Sequence, residues 1–215
     1  MDDQANHAAF VTALTTEHFV LQTAASSTIA EAAARSTLYV MALSSALVAM
    51  GFASQSPSVF VPFALVALPG IFILGIFTVV RLVDTTLENQ QYLTGIARIR
   101  GYYKSMVPEA SRYLRSDTAR WPEAPVPPSL TRGPFLAMLG TTAAMIAFLN
   151  NLVAGAAVTL AATVMFGRDR LGLALGAGIA TAAILMAVFI SYQTNRFEGL
   201  QRMMKATDTE VIEHA

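Results

Sequence analysis

Residues 59–80 read VFVPFALVALPGIFILGIFTVV, a stretch with no charged side chain. They lie within a longer gap, since the 45 residues between Arg35 and Arg81 contain no Asp, Glu, Lys or Arg. Crossing about 30 Å of hydrocarbon takes about 20 helical residues, so the gap fits two spans. Those spans are expected at about Leu38–Phe52 and Val59–Val80, joined by a polar turn within residues 51–58. Two more uncharged runs follow, Gly133–Gly167 and Leu171–Asn195, separated only by Arg168, Asp169 and Arg170. The pattern predicts an all-α integral membrane bundle of four transmembrane helices in two hairpins, with cytoplasmic helical extensions.

Composition points the same way. Of 215 residues 54% are hydrophobic and 13% charged, with a mean hydropathy of +0.52. Soluble domains carry about 25% charged residues, so a soluble enzyme is disfavoured. The absence of cysteine excludes disulfides, thiolate metal sites, a cysteine nucleophile and palmitoylation. The acidic start Met1-Asp-Asp3 does not resemble a signal peptide, so the first span is expected to direct insertion.

Orientation follows from Lys and Arg near the spans. Arg35, the eight basic residues from Arg81 to Arg132, and Arg196, Arg202 and Lys205 fall on one side, against Arg168 and Arg170 on the other. This predicts a plasma (inner) membrane protein with both termini cytoplasmic. Tyr39 and Tyr192 are then expected as aromatic anchors at the cytoplasmic interface. By topology the chain divides into an amphipathic helix continuing into the first span (1–35), the first hairpin (36–80), a basic helix with a Pro-rich connector (81–132), the second hairpin (133–195) and a tail (196–215).

In the first segment Val11, Leu14, His18, Leu21, Ala25, Thr28 and Ala32 recur at spacings of three and four. No Gly or Pro interrupts residues 5–49, which predicts one long helix rising into the first span. The second span is expected to continue as a helix to about Val107, where Pro108 breaks it, with another turn or two over Glu109–Arg115. Trp121–Leu130 holds four prolines and reads as an extended connector; Gly133-Pro134 then suits the start of the third span. Pro62, Pro69 and Gly70 could kink or break the second span.

The third span carries Gly140, Ala144, Ala147, Asn151, Gly155, Thr159 and Thr163 on one drifting face. The fourth carries Gly172, Gly176, Ala180, Ala183, Ala187 and Ser191. Small residues let helices approach closely in lipid, so these stripes are candidate packing faces, within the chain or between copies of a homo-oligomer. The competing reading has Asn151, Thr159 and Thr163 lining a narrow polar path. Asn150 and Asn151 are expected near the bilayer midplane, pointing about 100° apart, so that one bonds within the bundle and the other needs water or a neighbouring chain. No ionisable residue lies inside any proposed span, which counts against an ion-coupled transporter.

Arg98, Arg100, Tyr102, Tyr103 and Lys104, continuing to Arg112 and Arg115, interleave basic and aromatic side chains. Three readings stay open: contact with anionic lipid headgroups, a nucleotide ligand gripped by arginine and stacked on tyrosine, or packing against the acidic first helix. Zero formal net charge conceals that choice, because residues 1–35 sum to −3 and residues 81–132 to +3. Nucleic acid is not expected as a partner. His18, beside Glu17, is either a pH-sensing contact or an ordinary helix histidine. No metal-ligand spacing, nucleotide glycine motif or activated serine is present, so no cofactor, metal or catalytic residue is assigned.

The layout of a few spans with a cytoplasmic basic element is similar to that of some membrane effectors of bacterial nucleotide-signalled defence, without a shared motif. The expected function is a non-catalytic, homo-oligomeric, channel-like or signal-responsive membrane effector in contact with lipid. The alternatives are a membrane anchor or accessory subunit for a cytoplasmic protein and a uniporter-type small-solute transporter.

Overall fold

The computed structural model describes residues 2–107, 109–114 and 139–213. These form α1 (Asp2–Ala53), α2 (Pro57–Met106), the single turn α3 (Ala110–Tyr113), α4 (Thr142–Phe166), a 3₁₀ turn (Arg168–Arg170) and α5 (Leu171–Glu213). No strand occurs among the described residues. Four of the helices, α1, α2, α4 and α5, are long and apolar enough to cross a membrane. The Trp121–Leu130 connector, Pro108, Arg115, the Gly133-Pro134 start and His214 lie outside the described residues.

The first helix is unbroken over its whole length, as its lack of Gly and Pro predicts. It ends at Ser54 and Gln55, where Ser54 Oγ donates to the Gly51 carbonyl at 2.6 Å. Ser56 then opens α2: its carbonyl accepts from the Val59 and Phe60 amides at 3.0 and 2.9 Å, and Pro57 takes the first helical position, where an N–H has no helical partner. Pro62 and Pro69 do not break α2, which continues to Met106. The helix therefore offers no half-helix end at either proline.

Among the described residues the third long helix is preceded by a break. Gly140 and Thr141 form a turn and bend, and α4 starts at Thr142. Glycine disfavours helix and threonine suits the position just before one. Gly140 is consequently not part of the α4 face, and Asn150 is the ninth residue of a 25-residue helix, about one turn before its centre. Between α4 and α5, Gly167 adopts φ 82° and ψ 167°, a conformation open essentially to glycine alone. The last helix continues past Asn195 to Glu213, so the tail extends the fourth span as helix.

The chain forms two compact units: residues 1–33 with 84–141, and residues 34–83 with 142–215. In the first, α1 and α2 run antiparallel. Phe10 meets Tyr102 edge-on at 5.5 Å between ring centres, the Thr15 and Tyr103 hydroxyls lie 3.1 Å apart, and Thr28 Oγ1 lies 3.2 Å from Asn89 Oδ1. Positions 11, 14, 18, 21, 25, 28 and 32 of α1 are protected, together with 24 and 31. That spacing of three and four is the seam that the sequence displays. The outer face of the same helix exposes Phe19, Val20 and Ile29 between hydroxyl side chains. Those hydroxyls turn back: Thr12, Thr16, Thr23 and Ser26 each donate to the carbonyl four residues earlier, at 2.8–3.0 Å.

The second unit packs the remainder of α1 and α2 with α4 and α5. Its core includes Tyr39, Leu43, Ala64, Leu68, Leu82, Ile146, Ala147, Val153, Ala154, Ala174 and Phe189. Tyr39 is 1% exposed, so it is a core residue of the bundle and not the interfacial anchor expected of it. A buried hydroxyl requires a partner, and Asn150 supplies one.

Candidate functional site

The polar centre of the second unit is built around Asn150, which is 3% exposed. Its side-chain oxygen accepts a hydrogen bond from the Tyr39 hydroxyl at 3.1 Å. Its amide occupies space left by Gly75 on α2, where an added Cβ would collide with it. Three helices thus contribute to one contact: a phenol from α1, a missing side chain from α2 and an amide from α4. Neighbouring Asn151, 8% exposed, points elsewhere and directs Nδ2 toward Met186 Sδ on α5 at 3.7 Å. Both asparagines are therefore engaged inside one chain, each on a different helix neighbour.

One turn further along, α4 and α5 cross at glycines. A Cβ on Gly155 would stand 2.7 Å from the Gly178 carbonyl oxygen, and one on Gly178 would stand 2.5 Å from the Gly155 carbonyl oxygen and clash with Thr159 Oγ1. The Thr159 hydroxyl is 2.9 Å from the Gly155 carbonyl and 3.4 Å from the Ala174 carbonyl; Thr163 donates to Thr159 O at 2.8 Å. Within one chain these hydroxyls bond to carbonyls, and Gly155, Thr159 and Asn151 contribute to helix packing.

The α5 stripe behaves differently. The face meeting α4 includes Ala174, Gly178 and Ala182, whereas Gly172, Gly176, Ala180, Ala183, Ala187 and Ser191 are all exposed. No atom lies within 4 Å of a Cβ built on Gly172 or Gly176. The sequence stripe is real, but it faces away from the contacts within the chain.

The basic and aromatic residues of α2 belong to the other unit. Tyr102 packs on Phe10 and lies 6.4 Å from the Tyr103 ring, and Tyr103 meets Thr15. Both tyrosines thereby contact the first helix. Arg98 is exposed while Arg100 and Lys104 are half-buried, and all three have partners. Arg112 is exposed on α3, apart from that helix run. Gly95 gives Leu21 room, because a Cβ there would lie 2.9 Å from Leu21 Cδ1. His18 sits in the seam with a buried, unpartnered Nδ1, its ring edge-on to Phe19.

Two apolar grooves open on the second unit. One, of about 240 Å³, lies between α2 and α4 and is lined by Ala64, Leu68, Pro69, Ala157, Val158 and Ala161 among others. The other, of about 270 Å³, lies between α4 and α5 and has Arg170 at its edge. Among the described residues no group of three or more His, Cys, Asp or Glu could hold a metal ion. Comparisons with protein families, with curated proteins and with solved structures find no match.

Proposed function

We propose that the chain is a four-span protein of the plasma (inner) membrane, with both termini cytoplasmic, that acts as a homo-oligomeric, signal-responsive effector without catalytic activity. The observation that carries this reading is the continuity of α1 and α2, each of which runs without a break from the polar pairing segment into an apolar segment. Each of the two helices therefore carries a pairing segment and a span in one continuous run of sequence. A ligand or partner that alters the pairing around Tyr102 and Tyr103 would bias the packing of the spans. Asn150, Asn151, Thr159 and Thr163 bond within one chain, so any conducting path belongs between copies. The outward small-residue stripe of α5 is suited to that contact, since small residues favour helix association in lipid.

The test is solute and ion flux from liposomes holding purified protein, with and without cyclic nucleotides or a pH step. Triggered flux supports the effector reading, and a protein that is monomeric in nanodiscs at every concentration removes its oligomeric part. Absence of flux under all these conditions favours a second reading, an anchor or accessory subunit. That reading rests on the outer face of α1, where Phe19 and Ile29 are 62% and 64% exposed and Glu17 is the one charge between Gln4 and Ala30. It predicts a stoichiometric cytoplasmic protein partner.

A further inference from the structure

The groove between α4 and α5 combines an apolar wall with a basic edge. Its walls are Ala162, Phe166, Leu173, Ala174 and Ala177, all apolar, and its remaining lining residue is Arg170. The guanidinium groups of Arg168 and Arg170 have no hydrogen-bond or ion-pair partner among the described residues. Both belong to the turn joining the last two spans, the side that the orientation rule leaves poor in basic residues. An unpaired guanidinium beside an apolar wall is suited to an amphiphile with an anionic head, since arginine binds phosphate through a planar fork of donors. The start of α5 adds the positive end of a 43-residue helix to the same place. At about 270 Å³ the groove is smaller than typical small-molecule pockets of about 300–1,000 Å³, and so fits a segment of one acyl chain better than a ring system.

We infer that this groove binds an anionic phospholipid of the leaflet opposite the termini, with one acyl chain between Phe166 and Leu173 and the phosphate on Arg170. The inference rests on the membrane reading above, and charge complementarity selects the occupant. A zwitterionic lipid offers the same chain, but its choline or amine offsets the attraction of its phosphate for the Arg170 guanidinium.

The experiment uses the full chain reconstituted in bilayers of equal phosphatidylglycerol and phosphatidylcholine, followed by native mass spectrometry of the lipids retained. Wild type should retain phosphatidylglycerol in preference. Arg170→Gln should lower that preference about ten-fold, the loss expected when a charge-assisted contact is removed. Ala177→Phe, which fills the groove, should reduce retention of both lipids while circular dichroism stays unchanged, and Arg202→Gln should leave the preference intact. Equal retention of the two lipids by wild type, or an unchanged preference in Arg170→Gln, overturns the inference. Carbonate extraction of the cellular membranes separates the two levels: protein that stays in the membrane fraction without lipid preference sinks this site alone, whereas extractable protein sinks the membrane reading beneath it.

Discussion

The Tyr39 hydroxyl donates to the side-chain oxygen of Asn150 at 3.1 Å, tying the first long helix to the third across 111 residues of sequence. Both groups are buried, so removing either leaves the other without its described partner. Polar contacts between membrane helices average about 0.6 kcal/mol with a maximum of about 1.7 kcal/mol. A double-mutant cycle of Tyr39→Phe and Asn150→Leu, read by unfolding in mixed micelles, should give a coupling within that range. Additive losses would show that the pair contributes nothing jointly.

Gly155 and Gly178 should be intolerant of any side chain. Each added methyl would face a backbone carbonyl of the other helix, which cannot swing aside as a side chain can. Overpacking of this sort costs about 1–3 kcal/mol, so Gly155→Ala and Gly178→Ala should lower unfolding midpoints clearly. Gly172→Ala and Gly176→Ala meet open space and should be neutral or stabilising in the monomer. Equal damage at all four positions would contradict the placement of Gly172 and Gly176 away from α4.

Gly95→Ala should behave unlike Gly155→Ala despite a similarly short contact. Its methyl would meet only the end of the Leu21 side chain, which can change rotamer. Alanine gains about 1 kcal/mol over glycine inside a helix, enough to offset a small adjustment. Thermal melts of the full chain should therefore show Gly95→Ala at or above wild type, with Gly95→Leu below it.

Gly167→Ala should destabilise the α4–α5 connection by about 1–3 kcal/mol, because φ 82° with ψ 167° is strained for any side chain. Gly167→Asn should not rescue it, since asparagine tolerates the left-handed helical region and not this one. Rescue by asparagine would indicate a relaxed turn.

Much of the architecture is legible in where charges are missing. The gap between Arg35 and Arg81 and the Arg168–Arg170 interruption set the turns of both hairpins, and the absence of Gly and Pro from residues 5–49 foretells the unbroken α1. The seam through Val11, Leu14, His18, Leu21, Ala25, Thr28 and Ala32 is equally plain, because its spacing of three and four runs without a gap, although Phe10, Phe19, Val20 and Ile29 lie off it. The packed face of α5 is not legible. Ala174, Gly178 and Ala182 are as small as Gly172, Gly176 and Ala180, so periodicity alone offers two stripes and no means of choosing. A partner is needed to decide, and Gly155 with Thr159 on α4 is that partner. Tyr39 is hidden for a similar reason: an aromatic four residues past Arg35 resembles an interfacial anchor until Asn150 and Gly75 are brought beside it. Pro62 and Pro69 mislead in the other direction, since a helix can pass through proline when its neighbours hold it.

The hydroxyls of Thr12, Thr16, Thr23 and Ser26 spend their hydrogens on carbonyls of their own helix. What they present outward is mainly methyl and methylene surface with a satisfied oxygen, so water over that face is loosely held. Along these positions α1 is a chameleon, polar by composition yet able to shed its hydration at small cost when another apolar surface approaches.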